Sequence, residues 1–161
     1  MIFETNRLRV RKLTISDLND FHKMQSDIEV MRYITGSAAT FEQSEAKLNE
    51  WIARYETKVM EWPYAVTLKE NGSFVGICGV IENNEIGYRF LKQYWYNGYG
   101  TALVEGLILF SKQLGLKKLM AEVIIENTGS YKILKRAGFT VVKEQVCKYT
   151  KLPEYIMNLE L

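Results

Sequence analysis

The chain has 161 residues, 47% hydrophobic and 25% charged, enough for one well-buried core and too few for two comfortable ones. Its formal charge of +2 is spread without a long Lys/Arg run, so it offers no basic stripe for a nucleic-acid backbone. Two cysteines, Cys78 and Cys147, and one histidine, His22, exclude a disulfide framework, a zinc-type Cys/His set and a His-rich metal site, so no metal is expected.

From Arg7 to Leu13 basic and apolar residues alternate, the period of a half-buried strand. Ser16 has the character of an N-cap for a helix through Met24, with His22 on its surface. A short helix is expected over Ile28 to Tyr33. Thr40 caps a longer one from Phe41 to Lys58, in which Leu48, Trp51, Ile52 and Tyr55 recur at helical spacing. Tyr64–Lys69 and Ser73–Ile81 flank Glu70-Asn71-Gly72, a hairpin signal because Asn-Gly tolerates positive φ. Asn83-Asn84 turns the chain into Glu85–Phe90, a third strand of this meander. Helical periodicity returns from Gly100 to Leu114 and stops at Gly115. A strand over Lys118–Glu126, a helix over Ser130–Ala137, and strands over Phe139–Val146 and Tyr155–Leu161 complete the order. The expected class is α+β (α/β), a mixed, mostly antiparallel central sheet of six to seven strands flanked by helices, in a single domain over residues 1–161. No apolar stretch approaches the roughly eighteen residues of a membrane span, so no membrane partner is expected and the cytoplasm is the default compartment.

The segment Trp95-Tyr96-Asn97-Gly98-Tyr99-Gly100-Thr101 joins a strand to an amphipathic helix. Its two glycines let the backbone turn sharply and bring amide N–H groups close to a ligand. The helix N-terminus adds unpaired donors and partial positive charge, which suit a phosphate or pyrophosphate; a plain tight turn is the alternative. A dinucleotide fingerprint would need a third glycine where Leu103 stands, and a P-loop would need a lysine that is absent.

Taken together, these motifs resemble the GNAT acetyltransferases and, within them, the RimJ/RimL-like branch. The likeness rests on Glu85-Ile86-Gly87-Tyr88, Tyr94-Trp95, Gly98-Tyr99-Gly100-Thr101, Asn127-Thr128-Gly129-Ser130 and Arg136-Ala137-Gly138-Phe139, in order along nearly the whole chain. The resemblance implies a GNAT-like sheet and acetyl-coenzyme A as cofactor. It further implies a pyrophosphate cradle from the amides of Asn97, Gly98, Tyr99, Gly100 and Thr101, led into by Trp95 and Tyr96. The pantetheine arm would pair with the strand end at Arg89, Phe90 and Leu91, Asn127 would bind it from the neighbouring strand, and Arg136 would approach the phosphates.

Direct transfer to a primary amine, on a small molecule or a peptide N-terminus, requires that amine to be neutral. An α-amine with pKa near 8 is roughly a tenth neutral at pH 7, a lysine-type amine below about a thousandth, so a base matters most for the latter. Glu85 is the first choice of base, near where some family members carry a catalytic glutamate; Glu122 or a water relay is the alternative. Many members place a tyrosine eight residues after the asparagine to protonate the departing thiolate, but Lys135 occupies that position. Ser130 matches the serine of the RimJ/RimL branch and is the expected acid, with Tyr131 in reserve; equally, Ser130 reads as a helix N-cap. A non-catalytic acyl-CoA-binding sensor is the competing function, and a monomer or homodimer the expected state.

Overall fold

A computed structural model of the chain describes residues 1–57 and 62–161. Alternating apolar residues build strands β1 (Phe3–Glu4), β2 (Leu8–Lys12), β3 (Tyr64–Leu68), β4 (Phe74–Ile81), β5 (Glu85–Phe90), β6 (Lys118–Ile124), β7 (Thr140–Val146) and β8 (Pro153–Glu160). The helices are α1 (Leu18–Gln25), α2 (Ile28–Met31), α3 (Phe41–Arg54), α4 (Tyr99–Gln113) and α5 (Thr128–Arg136). The strands form one sheet of eight in the order β1-β2-β3-β4-β5-β6-β8-β7. The strand beyond the seven expected is β1, whose two residues are too few to display a period; it pairs Phe3 with Val10 and Glu4 with Arg9.

Local chemistry corrects the expected boundaries. Ser16 caps nothing: the chain enters α1 through a 3₁₀ turn at Ile15–Asp17, where the Thr14 N–H bonds Asp17 Oδ2 at 2.8 Å. Asp17, 6% exposed, also receives both Arg11 Nη atoms at 2.7 and 2.8 Å, so the carboxylate organises this corner. Thr40 does cap α3, through a reciprocal pair with Gln43. That helix ends at Arg54, and Lys58, its expected terminus, lies outside the described residues. At the β3–β4 connection only Gly72 takes positive φ (75°), while Asn71 accepts the Ser73 N–H; at Asn83 and Asn84 both residues do (64° and 61°).

Each face of the sheet carries its own core. On one face α4 and α5 bury Leu103, Leu107 and Leu134 against Val10, Val66, Cys78, Ile86 and Leu119. On the other, α1 and α3 bury Phe21, Met24, Leu48 and Trp51 against Ala65, Ile77 and Leu91. Trp51, one of the residues at helical spacing in α3, is only 7% exposed and packs edge-on to Phe21. No helix among the described residues is long and apolar enough to cross a membrane.

The sheet is antiparallel except at its middle. There β5 runs parallel to β6, and the ladder between them consists of one residue pair, Glu85 with Met120. Beyond that pair the two strands part.

Candidate functional site

Strand alternation decides which groups face the opening between β5 and β6. The Leu91 N–H bonds the Val75 carbonyl, and the β4–β5 register runs without a break from Gly76↔Phe90 to Ile81↔Glu85. Main-chain groups of Glu85, Gly87, Arg89 and Leu91 therefore turn toward β4, and those of Ile86, Tyr88 and Phe90 toward the opening. The expected trio Arg89, Phe90 and Leu91 is thus divided: only Phe90 presents its main chain to the gap, and Tyr88 joins it. The Phe90 carbonyl is taken by Trp95 Nε1 at 3.0 Å, which ties the following loop to the strand end.

That loop passes through a 3₁₀ turn at Lys92–Tyr94, then Tyr96 (φ 59°) and Gly98 (φ 77°), and enters α4 at Tyr99. Gly98 is the N-cap and, among the described residues, no side chain caps the helix, which leaves its first-turn N–H groups open to a ligand. Gly100 brings α4 close to α5, since a Cβ there would lie 2.7 Å from Ile133 Cδ1. Arg136, exposed, follows Ile133 by one helical turn, on the side where α5 meets the start of α4. One clamp on this loop has no signal in the local sequence. Arg7 Nη1 donates to the Asn97 carbonyl at 2.7 Å, and its guanidinium lies 4.1 Å from the Tyr99 ring centroid.

Across the gap, Asn127 is the N-cap of α5 and accepts the Ser130 N–H. Ser130 is therefore not the cap. Its hydroxyl is left for another partner, the Tyr88 hydroxyl, at 2.9 Å. Burial raises the Tyr88 pKa, with the Ser130 bond opposing, so the phenol stays protonated. Tyr131 instead packs against Tyr155 at 5.5 Å, and Lys135 lies on the Tyr131 ring.

The opposite sheet face carries the charges. Glu85, half-buried, has its carboxyl pushed up to about 7, by burial first and then by the negative charges of Glu122 and Glu154. Glu122 is pushed up by the same means, desolvation and then Glu154, with Lys148 opposing. Glu154, 4% exposed, accepts Gln145 Nε2 at 2.8 Å. Three adjacent strands, β5, β6 and β8, thus bring carboxylates together beside the opening, and one of them holds its proton near neutrality. The sequence singled out Glu85 and Glu122 but not Glu154. On the helices, Glu29 pairs with Lys92, and Glu50 with Lys47 and Arg54. They are engaged on the surface.

Such an arrangement suits a ligand with an anionic head at the Gly98 turn, an amide-bearing arm along β5, and a reacting end between Glu85 and the Tyr88–Ser130 pair. Comparison with known proteins agrees. A family model for an acetyltransferase (GNAT) domain matches residues 7–140. The uncharacterized N-acetyltransferase YoaA of Bacillus subtilis (strain 168) is 26% identical over 147 residues, covering 86% of this chain and 82% of its own. A GNAT-family acetyltransferase structure from Bacillus anthracis matches at a TM-score of 0.85 and 23% identity, covering 98% of this chain and 97% of that one. A spermidine N-acetyltransferase from Vibrio cholerae, solved with CoA and spermine, matches at 0.78 and 16% identity, over 95% of each chain.

Proposed function

The chain belongs to the GNAT family and is an N-acetyltransferase, and on that premise we propose that it passes the acetyl group of acetyl-CoA directly to a primary amine within a ternary complex. The acceptor is a small-molecule amine or a peptide N-terminus. Residues 1–161 act as one domain of the RimJ/RimL-like branch, in the cytoplasm, as a monomer or homodimer and without a nucleic-acid partner. The observation that carries the reading is the uncapped α4 N-terminus at the Gly98 turn, placed beside the free edge of β5.

The residues present fit the donor. Uncapped N–H groups from Gly98 to Thr101 would hold the pyrophosphate, with Trp95, Tyr96 and Asn97 leading in and Arg136 at its flank. The main chains of Tyr88 and Phe90 would take the amides of the arm, and Asn127 would meet it from the start of α5. The thioester supplies an activated acyl group. Glu85 draws the proton from the incoming amine, a task suited to a carboxylate poised near neutrality. Ser130 donates to the departing sulfur and is resupplied by Tyr88, the protonated phenol behind it. Similarity to curated N-acetyltransferases favours a working enzyme over a non-catalytic binder.

Thiol release over a panel of amines, together with calorimetry of CoA binding, tests this reading. Ser130→Ala is expected to lower kcat about a hundredfold with CoA affinity retained, and Tyr88→Phe about tenfold. Absence of any CoA binding heat would remove the donor site, and full turnover in both variants would remove the acid. Arg7→Ala, which frees the Asn97 carbonyl and the Tyr99 ring, is expected to raise the KM for acetyl-CoA about five- to tenfold while kcat changes little. An unchanged KM would show that the turn holds its shape unaided.

A further inference from the structure

Arg89 is in an unusual position for a guanidinium. It follows Gly87 on the face of β5 that carries Glu85, opposite Ile77 in the register. Its surroundings are apolar: Trp51 lies 5.8 Å from the guanidinium carbon, and Trp62 lies 6.0 Å from Trp51 and rests on Gly79 and Gly87. Arg89 Nε is shielded from solvent and has no hydrogen-bond partner, and among the described residues no carboxylate forms an ion pair with Arg89. Burial pushes its pKa down to about 10. The residue as a whole is partly exposed while its Nε is shielded and unpaired, so the guanidinium stands without a counter-charge where an anion can reach it.

The fold limits which partner this is. The Gly98 turn and α4 lie against the opposite face of the sheet, so the phosphates proposed for that turn do not share a face with Arg89. On its own face, Arg89 and Glu85 stand four residues apart, about 13 Å between Cα atoms at strand rise. Their side chains bracket Gly87, which carries no side chain, and the Trp62 indole forms an apolar surface between them. The two ends are of opposite chemistry, a base for an ammonium and a fork that matches a carboxylate bidentately.

Resting on the acetyltransferase reading above, we propose that the acceptor is a small amine that also carries a carboxylate, with its amine at Glu85, its carboxylate at Arg89 and its hydrocarbon along Trp62. Arg89 is then a specificity-determining residue for the acceptor.

The experiment is thiol release from acetyl-CoA with the common L-amino acids, each beside its amide and its decarboxylated amine, using the wild type, Arg89→Gln and Arg89→Lys. The wild type is expected to prefer the acid form of its best acceptor by about 10- to 100-fold in kcat/KM, through KM, the effect of one charge-assisted pair. In Arg89→Gln that preference falls to near unity, and Arg89→Lys restores part of it. Product inhibition of the wild type, N-acetyl amino acid against N-acetyl amide, gives the same comparison without relying on a variant that folds. Amides or decarboxylated amines used as well as the acids, or a preference surviving in Arg89→Gln, would overturn the proposal and leave the enzyme an acetyltransferase of another amine. CoA binding without turnover of any amine would overturn the acetyltransferase reading and this proposal with it.

Discussion

Gly76→Ala is expected to lower the melting temperature by about 6–12 °C, the equivalent of roughly 3 kcal/mol of overpacking, and to abolish turnover with it. A Cβ at this position would stand 2.1 Å from the Arg89 carbonyl oxygen and 2.8 Å from the Phe90 Cα. Both obstacles are backbone, so no rotamer change relieves them; β4 and β5 must separate. Separation displaces the strand that carries Glu85, Tyr88 and Arg89, so stability and activity fall together. Gly79→Ala is the informative contrast. Its Cβ would meet a side chain and not the neighbouring strand's backbone, at 2.7 Å from Trp62 Cε3, so β4 and β5 need not separate and the expected loss is smaller. Equal melting curves for the wild type and Gly76→Ala would show that the two strands part without cost.

Glu85→Gln is expected to lower kcat/KM for a strongly basic amine about 10²- to 10⁴-fold, and to raise the melting temperature at pH 8. The wild-type rate should rise with pH through about 7, where the carboxyl releases its proton and becomes a base; the variant should lose that limb and keep only the one set by the amine. The stability effect has the opposite sign. In the folded chain Glu85 keeps its proton up to about 7, against an ordinary 4.5, so between those values the folded state binds more protons than the unfolded one. Stability therefore falls as pH rises through that window, and glutamine, which never ionises, escapes the loss. At pH 4, where both side chains are neutral, the two proteins should melt alike. A variant with full activity, or one less stable than the wild type at pH 8, would mean that Glu85 is neither the base nor electrostatically frustrated.

Much of this was legible in the residues, wherever a period or a backbone requirement was at stake. Alternation along Glu85–Phe90 separates Ile86, Tyr88 and Phe90 from Glu85, Gly87 and Arg89, and the structure places the two sets on opposite faces. Glycines 98 and 100 mark a turn because one takes positive φ and the other admits a neighbouring helix. Contacts between residues remote in sequence were not legible. Arg7 reads as one of several basic residues on an alternating strand until folding lays it against Asn97, ninety positions away. The bond between Tyr88 and Ser130 depends on how α5 settles on β5, and Ser130 looked like a cap because Asn127, which caps instead, has the same chemistry three residues earlier. Glu154 was missed because its burial follows from strand order, β8 lying between β6 and β7.

The single parallel junction at Glu85 and Met120 also bears on how the chain assembles. From β2 onward to β5, apart from the helical excursion before β3, neighbours in the sheet are neighbours in sequence and can zip together through short hairpins. The junction must wait until all of α4 has been laid across the sheet, a long loop to close for one bridging pair. The seam between the two halves is therefore expected to be knitted after the antiparallel ladders on either side of it.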